Sequence, residues 1–166
     1  HLASRRQRQM CIRDSYVIEH LIKCLEVLKI NNYTKSSLKV TSFGDISHLQ
    51  TLVYSKIHKI CPFDLLRVLH PSPAVCGSPI KEAMNWINTL ESFSRGNYAS
   101  PIGWVDSEGN SEFRVAIRGA RYINQNLEFT AGSGLVKGSI YNKEIEEIQL
   151  KFKSLVKQIF LSKKTK

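Results

Sequence analysis

Glu144, Glu147 and Lys151 follow the spacing Glu-x-x-Glu-x-x-x-Lys near the C-terminus. On a helix, offsets of three and four residues put all of them on one face. The two carboxylates carry the hard oxygens that a divalent cation such as Mg²⁺ takes, and the ammonium suits an anion. The plainer reading is a surface Glu147–Lys151 pair at i,i+4, which is common and contributes little. Arg118 stands between Ile117 and Gly119 in a β-type run, an awkward place for a charge that merely faces water. A guanidinium there could hold a carboxylate through two parallel hydrogen bonds, or simply snorkel to the surface. Gly132-Ser133-Gly134 could bring backbone N–H groups close to an anion, although a short Gly-x-Gly is most often an ordinary turn. Cys76 has no paired base in sight and reads as a small packing residue, not a nucleophile.

The elements that must position these groups can be read from periodicity. Val17, Ile18, Leu21, Ile22, Leu25 and Leu28 have helical spacing over Tyr16–Ile30, with Asn31-Asn32 expected to end the helix. Leu38–Thr41 and His48–Ile60 suit strands on either side of a loop at Gly44-Asp45. Pro62 starts a short helix that ends near Leu69. Ser78-Pro79 offers an N-cap and a first-turn proline to a helix with Ile80, Ala83, Met84, Ile87 and Leu90 on one face. Strands are expected over Ala99–Val105, Glu112–Tyr122 and Leu127–Ala131, the first two joined by the hairpin signal Asp106-Ser-Glu-Gly-Asn110. Asn142 can cap a last helix whose stripe is Ile145, Ile148, Phe152, Leu155 and Ile159. This order predicts an α+β fold, not a parallel doubly wound sheet.

The 166 residues, 42% of them hydrophobic, suit a lone domain or part of a larger one. Cys11, Cys24, Cys61 and Cys76 lack disulfide or metal spacing and suit reduced thiols in a cytoplasmic protein. The formal charge of +10 gathers at the two ends and is otherwise scattered. No basic stripe interleaves with aromatic residues, so nucleic-acid binding is not expected. Neither is a membrane span. Residues 1–15 carry arginines without apolar periodicity and are expected to be a non-native or disordered basic segment, with 162–166 a basic tail.

Ordered motifs between these limits carry a resemblance. They are His70-Pro-Ser-Pro-Ala-Val-Cys-Gly77, Arg95-Gly-Asn-Tyr98, Pro101-Ile-Gly-Trp-Val-Asp106, Glu112-Phe113, Ala116-Ile-Arg118, Ala131-Gly-Ser-Gly134 and the Glu144/Glu147/Lys151 pattern. Together, over 16–161, they resemble the C-terminal part of the chorismate-utilising enzymes, and among those the isochorismate synthases of menaquinone and phylloquinone biosynthesis. The resemblance implies the layered sheet-and-helix fold of anthranilate synthase component I, chorismate as substrate, and Mg²⁺. The implied reaction adds water at one ring carbon while hydroxide leaves another. Its general base, a lysine, and its general acid, a glutamate, are expected upstream of this chain, which is therefore expected to be inactive. The location would be cytoplasmic, or plastid in a plant or alga.

By the same resemblance Glu147, with Glu144 as a further candidate, would hold Mg²⁺. Arg118, Lys151, Gly132 and Gly134 would contact substrate carboxylates, and His48, Ala74 and Tyr98 would line the cleft. Ser133 departs from the family's usual alanine and puts a hydroxyl in the site. Ala74-Val75 replaces the threonine-containing loop of the ammonia-using relatives, which favours water as nucleophile. The family's other metal glutamate belongs to a Glu-His pair on the first helix. Glu19-His20 looks like that pair, but the better register sets it on Arg13 and Asp14, so Glu19 receives no role.

Overall fold

Helix α1 (Leu2–Val27) opens the chain, and the next helices settle on its C-terminal half. The computed structural model describes residues 2–43, 46–57 and 59–161, with side chains for 11–41, 49–57 and 59–160. The helix expected from Tyr16 therefore begins much earlier, and 2–15 form its first half. It closes before Asn31-Asn32. Lys29 turns left-handed at φ 58°, Ile30 N–H bonds Leu25 C=O, and Lys29 N–H bonds Glu26 C=O. These are the two bonds of a Schellman close.

An antiparallel ribbon follows. Strand β1 (Tyr33–Lys35) pairs with β4 (Val53–Ser55), and the nested strands β2 (Lys39–Phe43) and β3 (Ile46–Gln50) pair with each other. The register slips by one residue between the two ladders, so Ser37-Leu38 oppose Thr51 alone. Such a bulge breaks the strand expected over His48–Ile60 into β3 and β4. Gly44 and Asp45, expected as a loop, lie outside the described residues.

Helix α2 (Pro62–Leu69) runs as expected, with proline in its first turn, and it docks on α1. The Cys24 thiol donates to Val68 C=O at 3.1 Å, and His20 Nε2 lies 3.4 Å from Leu69 C=O. The proline-punctuated stretch holds one further turn of helix, α3 (Pro73–Cys76), between cis peptides at His70–Pro71 and Ser78–Pro79. Helix α4 (Ile80–Leu90) starts one residue later than expected. Pro79 is its N-cap and no side chain caps it, because proline has no side-chain oxygen to accept a bond and Ser78 falls outside the first turn.

Two antiparallel hairpins come next. Strands β5 (Pro101–Val105) and β6 (Ser111–Val115) close through Asp106, whose carboxylate accepts N–H bonds from Glu108 and Asn110. Strands β7 (Ala120–Ile123) and β8 (Asn126–Phe129) close through Asn124-Gln125. The expected strand Glu112–Tyr122 is thus two strands, interrupted where Arg118 adopts φ 59°. Arg118 is not mid-strand.

Helix α5 (Tyr141–Leu161) ends the described chain. Ile140 C=O receives the N–H groups of Lys143 and Glu144, so Asn142 sits inside the first turn and is not the cap. Every strand pair among the described residues is antiparallel, in keeping with α+β. Cys24, Leu25, Ile30, Cys76, Ala99 and Leu155 are the buried apolar residues among the described residues. Glu144, 8% exposed, is the one charged residue among the described residues buried to a similar depth.

Candidate functional site

That buried carboxylate marks the site. Ile140 C=O anchors the first turn of α5, which sends Glu144 inward, and Glu147 and Lys151 continue the same face. Lys151 Nζ donates to Glu147 Oε1 at 2.7 Å and to Gly132 C=O at 2.6 Å. One ammonium therefore ties the helix to the glycine turn and keeps a third N–H for another acceptor. The Ser133 hydroxyl donates to Glu144 Oε2.

Across from α5 stands Arg13 of α1. Its Nη2 lies 3.1 Å from both oxygens of Glu144, and its Nη1 lies 3.8 Å from Glu147 Oε2. Its Nε is buried with no hydrogen-bond partner and faces Gly134, where a Cβ would stand 3.7 Å away. On the far side of the turn a Cβ at Gly132 would come within 3.2 Å of the Tyr98 hydroxyl. That approach is closer than most side chains tolerate, which gives Gly132 a packing reason to be glycine.

Tyr98 is held in turn by Arg95, whose guanidinium lies 5.9 Å from the ring centroid. Arg95 also binds Glu91 through Nε at 2.7 Å and Nη2 at 2.5 Å, and reaches Val75 C=O at 2.8 Å. It therefore links α3, the end of α4 and the site aromatic. The hydrogen bonds from Arg95 hold the Glu91 carboxyl below its ordinary range, against an opposing push from burial. Burial raises the Tyr98 phenol, opposed by the charges of Arg95 and Arg118. Burial likewise raises the Cys76 thiol, which donates to Ser72 C=O at 3.2 Å and packs as a protonated side chain.

The structure brings Glu144, Glu147, Lys151, Gly132, Gly134 and Tyr98 together, and sets Arg118 where its charge reaches the Tyr98 phenol. Ala74 is exposed on α3 and joins the group only through its neighbour Val75. His48 lies on β3 opposite Thr41, and its side chain is outside the described residues. Glu19 is exposed and His20 serves the α1–α2 contact, so neither belongs to the site. Sequence reasoning missed Arg13 and the clamp made by Arg95. Position 13 was marked only by the helix register, and nothing in the spacing of Glu91, Arg95 and Val75 announces a clamp.

A divalent ion does not fit between Glu144 and Glu147 as the site is built. Two carboxylates alone would suit Mg²⁺. Here the guanidinium occupies the space between them, and no group of three or more His, Cys, Asp or Glu gathers among the described residues.

The sequence pattern of "chorismate binding enzyme" matches residues 11–160. The isochorismate synthase MenF of Bacillus subtilis is 41% identical over 112 residues, 67% of this chain and 24% of that protein. The vibriobactin-specific isochorismate synthase of Vibrio cholerae is 33% identical over 142 residues, 84% of this chain and 36% of that protein. Among solved structures, one described as a 2,3-dihydroxybenzoate-specific isochorismate synthase, DhbC, from Bacillus anthracis superposes with a TM-score of 0.80 at 31% identity. The match covers 86% of this chain and 39% of that one. The chain therefore spans between 24% and 39% of the length of these proteins.

Proposed function

The chain belongs to the chorismate-binding enzymes, and from that membership we propose that it is the substrate-anchoring part of an isochorismate synthase. The parent enzyme would convert chorismate to isochorismate, for menaquinone or phylloquinone biosynthesis. One observation carries the reading. The carboxylates and ammonium of α5 close on the Gly132–Gly134 turn, with the Tyr98 hydroxyl against its other side.

Chorismate is a dianion, and the site offers it two kinds of donor. Lys151 has a free N–H direction beside the turn, and Arg118 lies near the Tyr98 phenol. Charge-assisted bonds from such groups orient a carboxylate, while Tyr98 can meet the substrate with its hydroxyl and its ring. The lysine base and glutamate acid implied by the resemblance would lie upstream of the matched segment. We propose that this chain alone binds without turning over, since losing either proton-transfer group costs about 10²–10⁴-fold. The proposal for Mg²⁺ belongs to an enzyme with a carboxylate at the place of Arg13.

The test is to incubate the chain with chorismate, with and without ammonia, and to follow binding calorimetrically and products by chromatography. Saturable binding without isochorismate, weakened about tenfold or more by Lys151→Met, is the expected result. Isochorismate formed by the purified chain would overturn the inactivity. Aminated product formed with ammonia would favour an anthranilate- or aminodeoxychorismate-forming relative, against the reading of Ala74-Val75. Salt-sensitive nucleic-acid binding without chorismate binding would replace the enzyme reading by a basic binding module.

A further inference from the structure

We propose that Arg13 takes the place of a divalent cation at the Glu144/Glu147 pair, so that this chain carries a built-in, non-exchangeable positive charge there and binds no metal ion at that point. Each carboxylate oxygen of the pair already faces a donor. Glu144 Oε1 and Oε2 face Arg13 Nη2, and Oε2 also accepts from Ser133. Glu147 Oε1 faces Lys151 Nζ, and its Oε2 faces Arg13 Nη1. A bridging ion would have to occupy the volume of the guanidinium.

Charge leads to the same conclusion. Among the described contacts Arg13 and Lys151 balance Glu144 and Glu147, so these four side chains carry no net charge to draw a dication. A second cation beside a guanidinium in a half-buried site would be repelled.

Hydrogen bonding separates the tenant from the site. Both oxygens of Glu144 and Oε1 of Glu147 accept hydrogen bonds, and Glu147 Oε2 faces the guanidinium at 3.8 Å, yet Arg13 Nε is buried against Gly134 without an acceptor. An arginine selected for its full fork of donors would normally find one. The surroundings are built to receive positive charge between two carboxylates, and the guanidinium supplies it at the cost of one unmade bond. The helix register that sets position 13 of α1 opposite α5 is what allows a side chain to do this.

The inference does not require chorismate to be the ligand, and its test uses metal alone. Mn²⁺, a paramagnetic probe for Mg²⁺ sites, is titrated into the full chain and followed by electron paramagnetic resonance. No saturable binding is expected for the unmodified chain at millimolar Mn²⁺. Arg13→Gln frees the carboxylate pair and should gain one site at least about tenfold tighter than any residual binding. Glu144→Gln in that background should abolish it.

Stoichiometric Mn²⁺ binding by the unmodified chain that Glu144→Gln or Glu147→Gln removes would overturn the proposal. So would a folded Arg13→Gln chain that binds none. Should Arg13→Gln fail to fold by circular dichroism, thermal unfolding of the unmodified chain decides. An unchanged midpoint in Mg²⁺ against salt of matched ionic strength supports the proposal, and a raised midpoint refutes it.

Discussion

Truncating Glu144 to alanine would strand the Arg13 guanidinium against α5, where its side chain is only 26% exposed and the lost carboxylate 10%. Breaking one side of a fully buried pair costs about 3–5 kcal/mol; with Arg13 partly solvated, about 2 kcal/mol is expected here. Glu147 and solvent would still share the charge. Urea unfolding of Glu144→Ala, Arg13→Met and the double variant measures this, and the double variant should cost less than the sum of the two. Additive losses would mean that the two side chains do not interact in solution.

Glu91 has its folded pKa depressed below the ordinary 4.5, first by hydrogen bonds from Arg95 and despite burial. The unfolded chain therefore takes up this proton more readily than the folded one. The Glu91 contribution is fully present above about pH 4.5 and is lost as pH falls through the lower folded value. The stability gap between the unmodified chain and Glu91→Gln should stay level above that pH and narrow below it. A gap independent of pH through the acid range would show that the Arg95–Glu91 clamp is not formed.

Among the elements, the hairpin of β7 and β8 is the one most open to improvement. Its ladder ends at Ile123 opposite Asn126, leaving Asn124 and Gln125 as the turn, at φ 47° and 64°. Two left-handed central residues make the type I′ geometry that fits the twist of a hairpin. Asparagine tolerates it, while glutamine has no local reason to. Gln125→Gly should stabilise the chain by about 0.5–1 kcal/mol, read as a higher urea midpoint at unchanged slope. The neighbouring hairpin shows why some turns are legible in sequence and others are not. Asp106 carries the turn chemistry of the β5–β6 loop in its carboxylate, and Gly109, at φ 85°, carries it by having no Cβ. The break between β6 and β7 falls on Arg118, a residue type with no preference for φ 59°, so the run reads as one strand. The bulge opposite Thr51 is hidden in the same way, because Ser37-Leu38 look like ordinary strand residues. At the site, Glu144, Glu147, Lys151 and the glycine turn were visible as spacing. Arg13 was hidden because its segment lacks the apolar periodicity by which a helix is recognised, although α1 runs straight through it.

At the scale of the whole molecule, the exposed surface is the quantity that constrains behaviour. A compact monomer of 18.9 kDa leaves about 8,000 Å² accessible and an unfolded one about 27,000 Å². The chain exposes 13033 Å², so it buries about half of its unfolded surface where about 70% is usual for its size. The apolar part of that excess lies on named faces. Trp86 and Leu90 of α4 are 64% and 71% exposed, and Ile102 and Trp104 of β5 are 57% and 54% exposed. With less surface left to reveal than usual, unfolding in urea should show a slope below that of a typical domain of this length. Both tryptophans should already emit as in water, be quenched by iodide in the folded chain, and shift little on unfolding. A dye that binds apolar surface should light up without denaturant. The alternative has an equally clear signature. Blue-shifted emission shielded from iodide, with no dye binding and a full-sized urea slope, would mean that α4 and β5 are covered in solution. Sedimentation would then tell a second copy of the chain as the cover from a repacking of α4 and β5 within one chain.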